Sequence, residues 1–195
     1  KEYRCSQFYG GDLLADGYFY LAEAIENNGF SGAFSTKLGR FFGDYQNTKI
    51  SEIDWGSIAL PAPITPVVQV GGKNAICFPS ILNTTYYGQN AYSGYVNEYT
   101  AGAYTTTGPK VPFVFMSYLL SLISTLTGTT ITGSFVNDTT WQQLVMYNTR
   151  ALDGATTVSI AKHLPELTIM ELFLELRKLP NFAFTFDTIA KKLTI

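Results

Sequence analysis

Side chains that can act as an acid, a base or a metal ligand are sparse in this chain. The one histidine, His163, has neither a second histidine nor a cysteine pair near it in sequence, so we expect it to pack in a turn rather than to bind a metal or relay a proton. Asp12 with Asp16, and Glu52 with Asp54, are carboxylate pairs of the type that glycoside hydrolysis uses, but acids this close together are commonplace. An enzyme would need several of these groups in one polar cleft.

Two other signatures of catalysis are incomplete or missing. The run Gly71-Gly72-Lys73-Asn74 lacks the first glycine of a phosphate loop and the Ser or Thr that follows its lysine. The chain also lacks the G-x-S-x-G motif that presents the nucleophilic serine of many hydrolases. We therefore predict a protein that is not an enzyme and that carries no catalytic residue, cofactor or metal.

The chain has two cysteines, Cys5 and Cys77. Two cysteines are too few for a disulfide scaffold, and their spacing matches no metal-binding pair. One disulfide and two separate thiols both fit the sequence, and two separate thiols are the simpler expectation.

Length and composition limit the class of protein. With 195 residues, the chain is long enough for one large domain or two small ones. Hydrophobic residues make up 46% of it, which excludes wholesale disorder. The net charge is −2, whereas a protein that binds nucleic acid needs a cationic surface. We therefore expect a folded protein that binds no nucleic acid.

Charge is almost absent from the middle of the chain. Residues 56–149 contain only four charged side chains, those of Lys73, Glu98, Lys110 and Asp138. A soluble domain normally carries mixed charge over its surface, whereas the centre of a protein interface is poor in charge and rich in aromatic residues. The pattern favours a surface that contacts another protein, and a neutral monomer surface is the alternative.

One uncharged segment is strongly apolar. Val111 to Leu126 is about 16 residues long, whereas a membrane helix needs about 20, and serines and a threonine interrupt it. We expect a buried helix that starts near Pro112 and ends near Thr127, and we expect no membrane span.

Periodicity predicts the elements of residues 1–108, an N-terminal mixed α/β region. Apolar residues from Leu13 to Ile25 fall near a helical period, and a short strand should follow them. The three prolines in residues 60–66 predict an extended connector. Residues 67–78 predict a β-hairpin, because two β-branched and apolar runs flank a Gly-Gly pair.

Residues 109–195 are predicted to form helix and strand modules. A T-x-x-E capping box at Thr168 and Glu171 opens a helix with one apolar face. This helix lies between a strand at residues 157–160 and the alternating phenylalanines of residues 182–186, and a last strand ends the chain. The predicted fold class is therefore α+β, with small helix-on-sheet modules and a C-terminal β-α-β-β unit.

Residues 83–108 have a composition that makes them the candidate contact segment. Six of these 26 residues are tyrosines, and most of the others are Thr, Gly, Asn, Ala or Ser. This mixture is typical of antibody paratopes, which combine rigid aromatic area with adaptable polar groups. A solvated loop is the alternative. The candidate interface residues are Tyr86, Tyr87, Tyr92, Tyr95, Tyr99 and Tyr104.

Residues 109–195 resemble tail and baseplate structural proteins of tailed phages and prophages. The similar segments are Val111-Pro-Phe-Val-Phe-Met-Ser-Tyr-Leu-Leu120, Ile131-Thr-Gly-Ser-Phe-Val-Asn-Asp138, Leu144-Val-Met-Tyr-Asn148, and the helix unit that starts at His163-Leu-Pro-Glu with the strands after it. In that family these are structural positions, and no catalytic set comes with them. The last unit also resembles, in topology, small modules of baseplate hubs and secretin N-terminal domains.

The resemblance implies a structural component of the virion tail, near the tail tip or baseplate. Such a protein would form a homo-oligomeric ring and contact other tail or baseplate subunits through its charge-poor surface. The alternative is a glycan-binding module at a bacterial cell surface, in which exposed aromatic rings stack on sugars. Trp55 and Trp141 would then be the candidate residues.

Overall fold

The computed structural model describes residues 2–9, 12–25, 29–36, 41–85, 92–152, 154–179, 182–187 and 190–195 of the protein. Helices and mostly antiparallel strands occur together in these ranges, which confirms the predicted α+β class. The buried hydrophobic residues whose surroundings are described begin at Phe41 and form one cluster that extends to Ile195.

The first three strands form an antiparallel sheet of their own. They are β1 (Glu2–Tyr9), β2 (Asp12–Ile25) and β3 (Gly29–Thr36). The helix predicted between Leu13 and Ile25 is therefore wrong. Phe19 of β2 stands opposite Tyr3 of β1, and cross-strand aromatic pairs of this kind favour a sheet. The periodicity of one segment contains no information about such partners.

The remaining strands are short and come from the whole length of the chain. They are β4 (Ser57–Ala59), β5 (Val67–Val70), β6 (Lys73–Cys77), β7 (Ile81–Leu82), β8 (Tyr95–Val96), β9 (Tyr99–Thr100), β10 (Ala103–Tyr104), β11 (Phe113–Phe115), β12 (Thr130–Thr132), β13 (Val145–Met146), β14 (Thr157–Ser159), β15 (Thr185–Asp187) and β16 (Lys192–Thr194). Across the ranges described, the helices are α1 (Met116–Thr127), α2 (Ser134–Asn137) and α3 (Ile169–Arg177), with 3-10 turns at Gly43–Asn47, Trp141–Gln143 and Ile160–His163.

A four-stranded antiparallel sheet in the order β13-β11-β6-β5 lies at the centre of the fold. Its β5–β6 pair is the predicted hairpin. Gly71 and Gly72 form the turn at φ 56° and 77°, and positive φ at both turn residues matches the twist of the flanking strands. Residues 60–66, which precede the hairpin, are the predicted connector and contain neither helix nor strand.

Helix α1 contains most of the apolar segment that was expected to be a buried helix. It begins at Met116 rather than near Pro112, because residues 113–115 form β11. A Phe-Val-Phe run with strand partners on both sides is favoured as a central strand. The helix ends at Thr127, as predicted, where Gly128 adopts the left-handed conformation at φ 64°. None of the helices in the described ranges is long and apolar enough to cross a membrane.

The C-terminal sheet has the strand order β12-β16-β15. Strand β16 pairs in parallel with β12 and antiparallel with β15. The predicted order of strand, helix, strand and strand is present as β14, α3, β15 and β16. However, β14 pairs with β4, and the C-terminal sheet takes its third strand from β12. The order of elements along the chain does not determine which strands pair.

Helix α3 begins with the predicted capping box. The Thr168 hydroxyl oxygen accepts a hydrogen bond from the Glu171 N–H (3.1 Å), and the Glu171 carboxylate accepts one from the Thr168 N–H (2.7 Å). These bonds satisfy N–H groups that a helix start leaves unpaired. The predicted apolar face is buried. From this face the Phe173 ring stacks on Phe42, with 4.9 Å between the centroids.

Gly133 is a glycine that this topology requires. It precedes α2 at φ 120°, and a Cβ atom there would lie 2.0 Å from the carbonyl oxygen of Ile195. Gly128 also has positive φ, but a Cβ atom there would meet nothing within 4 Å. We expect Gly133→Ala to lower the free energy of unfolding by several kcal/mol, and Gly128→Ala to lower it by about 1 kcal/mol through backbone strain alone. Urea denaturation measures both, and equal losses would contradict the role of close packing at Gly133.

Candidate functional site

The structure divides the predicted interface tyrosines into two kinds. Tyr95 and Tyr99 are exposed, with 42% and 43% of their surface accessible. Tyr92 and Tyr104 are half-buried, and their hydroxyls donate to main-chain carbonyl oxygens. The other two residues of the predicted set, Tyr86 and Tyr87, lie outside the described residues. Tyr95 and Tyr99 therefore present the most surface to a partner.

Tyr104 makes its contacts with its own chain. Its hydroxyl donates to the carbonyl oxygen of Phe78 at 2.7 Å, and its ring meets the rings of Phe78 and Tyr99 edge-on. Burial is the main cause that raises the pKa of Tyr104 to about 12. Lys110 Nζ lies 5.9 Å from the centroid of the Tyr104 ring. Tyr104 thus anchors its part of the tyrosine-rich segment to the central sheet.

Asn97 joins the tyrosine-rich segment to the core. It is fully buried, and its Nδ2 group donates to the carbonyl oxygens of Pro79 (3.1 Å) and Val111 (2.8 Å). Its Oδ1 atom accepts from the Val111 N–H at 2.7 Å, and its own N–H donates to the Pro109 carbonyl oxygen at 3.0 Å. Its φ of 55° lies in a region that asparagine tolerates better than most residues do. One side chain therefore connects three segments that are distant in sequence.

A group of apolar and aromatic side chains, all exposed except the half-buried Tyr92, lies beside this junction. We call it the aromatic patch and define it as Leu82, Tyr92, Tyr95 and Tyr147. Strands β7 and β8 place Leu82 directly opposite Tyr95. Leu82 and Tyr147 are exposed to 60% and 56%, the two largest exposed fractions among large hydrophobic residues in the described ranges, and apolar surface that lies together can serve as a contact site.

Asn83 holds the tyrosines of the aromatic patch in place. Its Nδ2 group donates to the Tyr147 hydroxyl at 2.8 Å, and its carbonyl oxygen accepts from the Tyr92 hydroxyl. Burial is the first cause that raises the pKa of Tyr92, and the neighbouring Tyr147 is the second. The Tyr147 ring also packs edge-on against Phe113 of β11, with 5.3 Å between centroids. Rings fixed in this way lose little conformational entropy when a partner binds.

Two members of the aromatic patch lie outside the segment that composition singles out. Leu82 immediately precedes residues 83–108, and Tyr147 lies far beyond them. The sequence contains one signal for Tyr147. Side chains alternate between the two faces of an extended segment such as Leu144-Val145-Met146-Tyr147, so Tyr147 points to the face opposite that of Met146. Met146 is buried and Tyr147 is exposed. Only the fold, however, brings Tyr147 to Asn83, the residue that follows Leu82.

The groups with catalytic potential do not form a site in the described residues. His163 is buried, as expected for a packing role. The Asp54 carboxylate accepts from the Gly56 N–H at 2.9 Å and closes a turn. The side chains of Asp12 and Asp16 lie outside the described part of the structure. Over the ranges that the structure describes, no group of three His, Cys, Asp or Glu residues could hold a metal ion.

Both tryptophans have partners inside the protein. Trp55 Nε1 donates to the carbonyl oxygen of Ile50 at 2.6 Å. The Trp141 ring meets Phe135 and Phe182, with centroid distances of 5.6 and 5.1 Å. Because both indoles are half-buried and packed against the core, stacking on a sugar would have to compete with these contacts.

The two cysteines are separate thiols. Cys5 is half-buried, and Cys77 is buried in the central sheet. Burial raises the pKa of Cys77 to about 11, so this thiol stays protonated and poorly reactive at neutral pH. The simpler of the two expectations from sequence therefore agrees with the structure.

A polar groove of about 510 Å³ runs along one face of α1. Lys73, Ser117, Ser121 and Gln142 are among its lining residues, and neither tryptophan lines it. The Ser121 hydroxyl already donates to the carbonyl oxygen of Tyr118 at 2.8 Å. Among the described residues that line the groove, Lys73 is thus the one cation, and the Ser121 hydroxyl is engaged within the helix.

No protein-family model, curated protein or solved structure matches this chain. The function of this chain is therefore inferred from where its own residues lie.

The Asn97 junction predicts a large effect on stability. We expect Asn97→Ala to lower the free energy of unfolding by about 3 kcal/mol or more, because buried carbonyl and N–H groups lose their partners and alanine is strained at positive φ. Asn97→Gly removes the strain but not the loss of hydrogen bonds. It should therefore still lower the free energy of unfolding by most of this amount. Asn74→Ala is the matched control, because the Asn74 side chain accepts its hydrogen bond from an exposed side chain, Gln69 Nε2 (2.8 Å), rather than pairing buried main-chain groups. Chemical denaturation measures all three, and equal effects of Asn97→Ala and Asn74→Ala would contradict the junction.

His163 predicts a loss of stability in acid. Burial first, and the positive charge of Arg150 second, lower the pKa of His163 from 6.5 to about 4, and Lys162 acts in the same direction. Between about pH 4 and pH 6.5, the His163 imidazole is therefore protonated in the unfolded chain and neutral in the folded chain. Stability should therefore be full above pH 6.5 and should fall as the pH drops towards 4, by about 2 kcal/mol at pH 5.

His163→Gln is the variant that tests this titration. Its amide can still reach Asn148, whose Oδ1 atom lies 3.4 Å from His163 Nδ1, but it does not titrate. The difference in unfolding free energy between wild type and His163→Gln should change by about 2 kcal/mol from pH 7 to pH 5. Parallel stability curves for the two proteins would contradict the prediction.

Proposed function

We propose that this protein is a non-enzymatic structural subunit of a phage-like tail or baseplate. It would reside in the virion tail, assemble into a homo-oligomeric ring and contact other tail or baseplate subunits. The observation that carries the proposal is the aromatic patch, which is exposed, contains no charged residue and is held by internal hydrogen bonds. The resemblance of residues 109–195 to tail proteins supports placing this contact surface in a phage-like tail.

The composition of the aromatic patch supports contact with a protein. Tyrosine rings are enriched at the energetic centres of interfaces, where fully desolvated aromatic side chains contribute most of the binding energy. Leu82 adds a fully aliphatic surface opposite Tyr95. Asn83 already orients Tyr92 and Tyr147. Burying these rings against a partner therefore costs little side-chain conformational entropy.

The few charges of residues 56–149 support the same proposal. Lys110 Nζ donates to two loop carbonyl oxygens at 2.6 and 2.8 Å. The Asp138 carboxylate accepts from two main-chain N–H groups that follow it, and the Glu98 carboxylate accepts from the Ser93 hydroxyl. Three of the four charged side chains are thus engaged within their own chain. A partner would meet an essentially neutral surface, as at the centre of an interface.

A second candidate function is a glycan-binding module at a bacterial cell surface. The exposed rings of Tyr95 and Tyr147 favour it, because aromatic faces can stack on sugar rings. Such a module would bind saccharides as a monomer, and a glycan array would detect it. If the protein binds no glycan on the array and does self-associate, the structural subunit remains the supported function.

The aromatic patch predicts which substitutions abolish assembly. We expect the combined variant Leu82→Ala, Tyr95→Ala and Tyr147→Ala to weaken self-association by roughly 30-fold or more, since the loss of even one central residue of an interface costs about 2 kcal/mol or more and such losses are not additive. Light scattering across a wide concentration range measures the mass of the assembly. Wild type should reach a discrete oligomer that the variant does not reach.

Tyr45→Ala is the matched control for this experiment. Tyr45 is exposed to 37% but belongs to the 3-10 turn Gly43–Asn47 rather than to the patch. Its loss should leave assembly unchanged. Thermal melting shows whether each variant is folded. A folded patch variant that assembles like wild type would contradict the assignment of the contact surface, and a wild type that stays monomeric at every concentration would contradict self-assembly.

A further inference from the structure

The central sheet ends on both sides in strands that have no neighbour in the described structure. In the order β13-β11-β6-β5, strand β13 is one edge and strand β5 is the other. Edge strands offer unpaired main-chain N–H and C=O groups, and proteins usually protect them with charges, prolines or covering segments. Neither Val67–Val70 nor Val145–Met146 contains a charged residue or a proline.

Strand β5 presents both polar and apolar groups to its open side. The Phe78 N–H donates to the Pro66 carbonyl oxygen at 2.9 Å, so the alternation of an antiparallel ladder turns the main-chain groups of Val67 away from β6. The Thr65 hydroxyl donates to the Val67 carbonyl oxygen at 2.9 Å, which agrees with this direction. Val67 and Val70 are exposed to 40% and 38%. We call this surface the β5 edge.

Strand β13 borders an apolar groove. The Met116 N–H donates to the Leu144 carbonyl oxygen at 2.9 Å, so the main-chain groups of the next residue, Val145, point away from β11. The groove has a volume of about 320 Å³ and lies between β13 and helix α3, where Leu176 and Leu179 line it. We call this surface the β13 groove.

Charge distinguishes the two surfaces. Among the described residues that line the β13 groove, Glu175 is the charged one. Its exposed carboxylate forms an ion pair through Oε1 with Lys178 Nζ of the same chain at 2.5 Å, which Lys73 of a second copy would have to join or replace. Lys73 is the one charged residue of the hairpin formed by residues 67–77, and it is exposed. The valines of the β5 edge match the apolar lining of the groove, and Lys73 has the charge opposite to that of Glu175.

We propose that the β5 edge of one copy of this chain binds in the β13 groove of the next copy, so that the central sheet continues from subunit to subunit. The occupant of the groove is thus a second copy, selected by strand pairing, by apolar contact of Val67 and Val70, and by Lys73 near Glu175. This inference rests on the proposed function, because it assumes self-assembly. The contact is head-to-tail, and head-to-tail contacts close into a ring when the rotation between copies permits.

The test uses two variants that each block one side. The edge variant carries Val67→Lys and Val70→Lys at exposed positions, and the groove variant carries Leu179→Lys at the half-buried rim of the groove. Each variant alone should lose the wild-type oligomer, with a dissociation constant raised at least tenfold. An equimolar mixture should form a heterodimer of defined mass, because one unblocked edge and one unblocked groove remain. Sedimentation velocity measures these species.

The outcomes separate this inference from the proposed function. An edge variant that assembles like wild type would overturn the inference and leave self-assembly intact. A groove variant that still dimerises while the edge variant does not would show that two β5 edges pair with each other, and it would also overturn the head-to-tail contact. A wild type that is monomeric at every concentration would overturn both proposals.

Charge reversal provides a test that does not depend on buried positions. Lys73→Glu and Glu175→Lys each change an exposed side chain and should each weaken self-association about fivefold, as expected when a surface attraction becomes a repulsion. The double variant restores opposite charges between neighbouring copies and should assemble like wild type. Additive weakening in the double variant would overturn the pairing of Lys73 with Glu175.

Discussion

Asn97 satisfies the polar groups of distant segments at a position that water does not reach. Its side chain pairs with Pro79 and Val111, and its main chain pairs with Pro109. Because buried amide and carbonyl groups must be paired, these bonds fix the tyrosine-rich segment relative to strand β11. The position of β8, and with it the aromatic patch, depends on this junction.

The central sheet connects the interior of the protein with its surface. Its inner strand β11 is completely buried, while its outer strands β5 and β13 border solvent. The same ladder that packs Phe113 into the core places Tyr147, which follows β13, against the Phe113 ring. The Tyr147 hydroxyl accepts there from Asn83, which follows β7, so this contact joins the central sheet to the β7–β8 pair.

Local signals in the sequence predicted local structure well. The capping box at Thr168, the glycine hairpin and the end of α1 all depend on residues close to one another in sequence. Long-range pairing was not predictable. The partnership of β12 with β16 depends on contacts between segments far apart. The strand β2 depends on pairing with its neighbours β1 and β3, which the periodicity of its own residues does not reveal. Composition likewise selected Tyr92, but only tertiary structure brings Tyr147 near it, through Asn83.

The lack of charge in the aromatic patch has a consequence for temperature and salt. A contact made through such a surface gains its free energy from apolar burial, whose strength falls on cooling. Ionic screening weakens only interactions between charges, whereas excluded salts such as sulfate strengthen apolar burial. Assemblies held by this patch would therefore loosen in the cold and tighten in sulfate, the reverse of an interface held by ion pairs.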